Sequence, residues 1–260
     1  MDYSNKITQL NILDSICRRC HLRTLCSTNT LSASVRKKFS DATMHGERWD
    51  RGQHLFLPGD RLHYIYIVHS GSFKTYVMSA KGDIQITGFY FQGSVLDFNY
   101  SNDAIQNIGA IALETSTICK IPLARFEELA SDSPALSLAF LKIMSKEIII
   151  KHRHISVLSK MTARQKAAEF LLHMSAESKA QGGSSVVFEL SMMRSDIANY
   201  LGITSETMCR IFKIFHSNGI ISVRRRQITI NDAKALGLIL PHNDTNTNIK
   251  TTEKSQEKGR

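Results

Sequence analysis

The chain has 260 residues, enough for two modest domains that each bury their own core. Hydrophobic residues make up 42% and charged residues 22%, the balance of a soluble globular protein, and no apolar run approaches the length that crosses a bilayer. A net charge of +10 points to a polyanionic partner, nucleic acid or an anionic membrane surface.

In chain order, the first feature is CRRCHLRTLC, Cys17 to Cys26, within an N-terminal segment (1–30). The preceding residues, MDYSNKITQLNILDSI, lack the basic-then-apolar layout of a secretory signal, so a cytoplasmic chain with reduced thiols is expected. Five cysteines are an odd number, and in that compartment a cluster of them points to metal or redox chemistry. By spacing alone, C-x2-C-x5-C suits a tetrahedral zinc site as well as an iron–sulfur site. Cys119, between Ile118 and Lys120, reads by itself as a small buried residue of a strand.

From 31 to 130 short apolar or alternating runs are punctuated by glycine turns, among them Tyr64 to Val68, Phe73 to Val77 and the turns at Pro58-Gly59-Asp60 and Lys81-Gly82-Asp83. This pattern predicts a β-roll of jelly-roll type. Residues 134–160 are free of glycine and open on Pro134, which predicts one long helix. Leu141, Met144, Ile148, Lys151, Ile155 and Leu158 follow alternating steps of three and four, an a/d stripe that predicts either a dimerisation seam or packing on the chain's own core. As a seam, it would bring two Lys151 ammonium groups together, a repulsion expected to hold back dimerisation. The final stretch, 241–260, is polar and aperiodic, the composition of a disordered tail.

Residues 161–240 read as a DNA-binding unit. Ile197, Ala198 and Leu201 form the inner face of a short helix that stops at Gly202; Thr204 caps a second helix with an apolar face of Met208, Ile211, Phe212 and Phe215, ended by Asn218-Gly219. Two helices around a tight glycine turn predict a helix-turn-helix, and ISVRRRQITI predicts a hairpin wing with Arg224, Arg225 and Arg226 at its tip. Glu206 and Arg210 stand four apart at the start of the second helix, with Thr207 and Cys209 beside them; arginine can hold guanine O6 and N7 and a carboxylate can accept from the cytosine amino group. The alternative use of that pair is an exposed i,i+4 ion pair, worth a few tenths of a kcal/mol. No phosphate loop, nucleophile–base pair or paired carboxylates point to an enzyme.

A β-roll, a long helix and a C-terminal winged helix-turn-helix, in that order, resemble the cyclic-AMP receptor protein superfamily, an α+β architecture. Within it, KGDIQITGF, ALETSTICKIP, SMMRSDIANYLGITSETMCRIF and the cysteine group most resemble the oxygen-responsive fumarate and nitrate reduction regulator (FNR) branch. The resemblance implies a 4Fe–4S cluster on Cys17, Cys20, Cys26 and Cys119, with Arg18, Arg19, Arg23 and His21 offsetting its negative charge. It also implies a homodimer on a TTGAT-like inverted repeat, read by Glu206 and Arg210, and RNA polymerase as a partner at the Lys81-Gly82-Asp83 turn. Cys209 stands where that branch carries serine, which puts the base served by this position in doubt. The region FQGSVLDFNYSNDAIQNIGAIALE holds no arginine to meet a phosphate, so no cyclic nucleotide is expected as effector. A regulator of the same family with zinc or no metal, answering another signal, is the competing expectation.

Overall fold

A computed structural model describes residues 32–96 and 105–241. The cysteine group Cys17, Cys20 and Cys26 and the tail beyond 241 lie outside the described residues.

The first described element is helix α1 (Ala33–Ala42), capped by the Ser32 hydroxyl, which accepts from the Val35 amide. Strands follow: β1 (Met44–Trp49), β2 (His54–Phe56), β3 (Tyr64–Ser70), β4 (Phe73–Met78), β5 (Ile84–Tyr90), β6 (Gly109–Ala112) and β7 (Ser116–Pro122). They form two antiparallel sheets, in the orders β1-β7-β3 and β2-β6-β4-β5. Helix α2 (Leu123–Asp132) leads into the long helix α3 (Pro134–Lys160). The roll and the long helix are therefore as expected, but α1 and α2 are helices where the sequence showed only strand-like texture. Among their described side chains few are buried (Phe39 in α1, Phe126 and Leu129 in α2), too few anchors to mark a 3.6-residue period.

Side chains alternate across each strand. On β3 and β7, Ile65, Ile67, Cys119 and Ile121 share an apolar cluster with Phe39, Phe126, Leu129, Leu136 and Ile143 of the three helices. The opposite faces send Val68 and Ile118 into the cluster between the sheets, with Leu55, Phe73 and Tyr90. Cys119 thus lies on the helix-covered side of the roll and not in its interior.

The C-terminal unit contains α4 (Ala163–Ala180), β8 (Val187–Glu189), α5 (Arg194–Tyr200), α6 (Ser205–Ser217), β9 (Ile221–Arg224), β10 (Gln227–Ile230) and α7 (Ala233–Ile239). Its three strands pair in the order β8-β10-β9. Phe170, Leu171, Ile197, Met208, Phe212 and Phe215 fill one core between the helices and this small sheet.

Helix α3 begins with Pro134 in its first turn and the Ser133 hydroxyl accepting from the Leu136 amide. The stripe expected along it divides into two rows. Leu141, Ile148 and Ile155 are 55–64% exposed, whereas Met144, Lys151 and Leu158 are half-buried against the chain's own body. The Lys151 ammonium donates to the Thr87 carbonyl at 3.1 Å and to the Tyr90 hydroxyl at 3.0 Å, both on β5. Within the chain the Lys151 ammonium is therefore engaged by the β-roll. Positions three apart on a helix differ by about 60° around its axis, enough for one row of an a/d stripe to face solvent while the other meets the chain's own body.

Where α3 meets α5, the rings of His154 and Tyr200 stack at a centroid distance of 3.9 Å. Burial, helped by the charge of Lys151, pulls the His154 pKa down to about 4, with Lys166 and His173 adding smaller effects in the same direction. A lowered histidine pKa means the unfolded chain takes up the proton first. The stack therefore contributes stability above about pH 6.5 that is lost as pH falls towards 4. His154→Phe, which keeps a stacked ring but cannot be charged, is expected to flatten the acid limb of thermal denaturation across that window; an unchanged limb would contradict the assignment.

Candidate nucleic-acid interface and metal site

The helix-turn-helix is assembled by local chemistry. Helix α5 closes on Leu201, and Gly202 takes φ +61° to turn the chain, a left-handed conformation that favours glycine. Thr204 then caps α6, its hydroxyl accepting from the Thr207 amide at 3.1 Å. The Lys166 ammonium, almost fully buried, donates to the Leu201 carbonyl at 3.1 Å and so satisfies an orphan acceptor at the end of α5. Met208, Ile211, Phe212 and Phe215 hold α6 to the core, which leaves Glu206, Cys209 and Arg210 exposed on its outer face and Thr207 half-buried beside them. Among the described residues no ion pair joins Glu206 to Arg210, so both charges point outward unspent.

Strands β9 and β10 pair through Gln227 and Arg224, leaving Arg225 and Arg226 as the tip. All three arginines are exposed, and Arg225 is the one non-glycine residue with positive φ (57°) among the described residues. A residue with a Cβ in that conformation costs about 1–2 kcal/mol relative to glycine.

The C-terminal unit is tied to the roll, mainly through α5, by polar contacts that no sequence pattern announced. Lys74 on β4 pairs with Asp196 on α5 at 2.7 Å, both nearly buried. The Asn199 side chain acts as one more strand on the edge of β5: its carbonyl accepts from the Ile86 amide at 2.6 Å and its amide donates to the Ile84 carbonyl at 2.8 Å. Ser72 donates to Ser191 at 2.7 Å, and Phe89 packs on Tyr200 with centroids 5.0 Å apart.

On the other side of the roll, Cys119 presents the one described thiol of the expected ligand set. Its sulfur is 3.1 Å from Nδ1 of His45 on β1. Burial and the nearby His69 hold the His45 pKa below the ordinary histidine value. No group of three or more His, Cys, Asp or Glu able to hold a metal occurs among the described residues. Cys209 is exposed on α6, in the DNA-facing unit.

Two family models match the chain: a Crp-like helix-turn-helix domain over residues 165–239 and a cyclic nucleotide-binding domain over residues 47–133. The transcriptional activator protein Anr of Pseudomonas protegens is 35% identical over 216 residues, 83% of this chain and 88% of Anr. The fumarate and nitrate reduction regulatory protein of Salmonella typhi is 34% identical over 226 residues, 87% of this chain and 90% of that regulator. The chain belongs to the CRP/FNR superfamily, in its FNR branch. FixK2 from Bradyrhizobium japonicum shares the fold, with a TM-score of 0.70 at 22% identity over 76% of this chain and 98% of FixK2. Membership makes this FNR-branch chain a DNA-binding transcription regulator and not an enzyme. No helix among its described residues is long and apolar enough to cross a membrane.

Proposed function

We propose that this regulator is oxygen-responsive: a 4Fe–4S cluster on Cys17, Cys20, Cys26 and Cys119 controls a homodimer that binds a TTGAT-like inverted repeat. The observation that carries the reading is the position of Cys119. Its sulfur lies on the face of the roll covered by α1, in the apolar cluster that Val35, Phe39 and Ala42 enter. Cys26 precedes the Ser32 cap of α1 by six residues, a span of about 20 Å at full extension. The donor set fits the group, since a cubane cluster takes one thiolate per iron, and an imidazole able to donate already sits on the Cys119 sulfur. When bound, such a cluster supplies oxygen-sensitive iron–thiolate bonds that the polypeptide lacks.

The chain's own residues supply the rest. Cys119 is rigidly held in β7, and the same cluster of side chains includes Leu136 and Ile143 of α3, so a tether between the N-terminal cysteines and β7 bears on the long helix. The exposed row Leu141, Ile148 and Ile155 is the apolar face offered to a second α3, and Met144, Lys151 and Leu158 flank it from the inner side. A two-fold dimer places its α6 helices in successive major grooves about 34 Å apart. There Glu206 and Arg210 read base edges, Thr207 and Cys209 contact the groove between them, and Arg224, Arg225 and Arg226 meet phosphates. The Lys81-Gly82-Asp83 turn, exposed and shaped by Gly82 at φ +86°, is the surface for RNA polymerase. A cyclic nucleotide is not the effector, because the stretch 91–114 contains no arginine to meet its phosphate.

Anaerobic purification of the full chain with iron, sulfide and visible-absorbance analysis tests this. A brown protein with about four irons per chain that bleaches in air is the expected result. A colourless protein with stoichiometric zinc, or with no metal, overturns it.

A further inference from the structure

Strand β1 pairs with β7 out of step. Met44 faces Lys120 and Glu47 faces Ile118, so His45 and Gly46 together stand against the single residue Cys119. This is a β-bulge, made possible by Gly46 at φ +85°. Bulges re-aim side chains, and this one brings the Nδ1 of His45, itself exposed, to 3.1 Å from the Cys119 sulfur. Lys120 is locked at the same point by an ion pair with Glu47, which holds the two strands in this register. A thiolate has no proton to give, so the imidazole is the donor whenever Cys119 is ionised.

We infer that His45 is a positioning residue for Cys119, and that its Nδ1–H donated to the thiolate sulfur slows oxidation of the cluster proposed above, a reading on which this inference rests. The physical cause is electronic and geometric. A hydrogen bond to a ligating sulfur withdraws negative charge from it, which favours the reduced state of an iron–sulfur centre, and a partner outside the ligand set fixes the direction in which the ligand presents its lone pairs. The contact joins residues 74 apart in sequence, and it exists because of one extra residue in β1.

The test uses the full chain, loaded anaerobically, in three forms: wild type, His45→Leu, which keeps bulk but has no donor, and His45→Asn, whose amide nitrogen can take the place of Nδ1. Each is transferred to air-saturated buffer and its visible absorbance followed, and resonance Raman spectra record the iron–cysteine sulfur stretches. The leucine variant is expected to bleach about threefold faster or more, with one stretch moved to higher frequency, and the asparagine variant to return most of the way to wild type. Far-UV circular dichroism checks that all three are folded. Equal bleaching of wild type and the leucine variant overturns the inference and leaves the cluster reading standing, as does equal failure of both variants to load. A wild-type chain that takes up no iron or sulfide overturns the cluster reading and this inference together.

Discussion

Arg210→Ala is expected to weaken binding to a two-fold site by about 1–3 kcal/mol for each half-site and to relax selection at one guanine in each. The expectation follows from the position of Arg210, exposed at the start of α6 on the face opposite the buried Met208, Ile211 and Phe212. Its guanidinium has no ion-pair partner among the described residues, so no protein contact must be broken before it meets a base. Two half-sites lie too far apart for the losses to interact, and the effects add. Binding measured against sites varied one base at a time, at fixed salt, provides the check. If affinity drops by the same factor on every sequence and the salt slope shrinks by about one, Arg210 is a phosphate contact and the base assignment is wrong.

The second large effect concerns the joint between the roll and α5, the helix before the reading helix. Asp196→Ala is expected to cost about 3–5 kcal/mol of stability, because it leaves the Lys74 ammonium nearly buried with its charge uncompensated. The same carboxylate also accepts from the Met193 amide at 3.2 Å, at the start of α5, so the helix loses a cap as well. Removing both charges should behave differently: Lys74→Met combined with Asp196→Ala is expected to recover most of the loss, since an apolar pair carries no desolvation penalty. Urea denaturation of the two single variants and the double variant measures this as a coupling energy. Additive losses would show that the 2.7 Å contact contributes nothing to joining the domains.

The helix-turn-helix was legible because its signals are local. Gly202, Thr204 and Asn218-Gly219 mark turns and caps through conformations set by one to four neighbouring residues, and the Met208–Phe215 pattern is a face of a single helix. The long helix announced itself the same way, through Pro134 and the absence of glycine. Spacing along α3 could not say which side meets the chain's own core. Lys151 has the same step as Ile148 and Ile155, yet it turns to Thr87 and Tyr90 because β5 lies beside it. Helix α1 was illegible for a related reason, since among its described side chains Phe39 alone is fully buried and a single anchor has no period.

What the sequence determined by itself is therefore the order of units, the winged reading head and the cysteine spacing, all properties that act across a few residues. Only the tertiary structure decided which face of the roll Cys119 occupies, that His45 reaches it, and that Lys74 meets Asp196. The last two contacts join residues 74 and 122 apart. Contacts at that range depend on strand register and on which strands become neighbours. One added residue at His45-Gly46 shifts the pairing of β1 with β7 and sets one nitrogen of an exposed histidine against a buried sulfur.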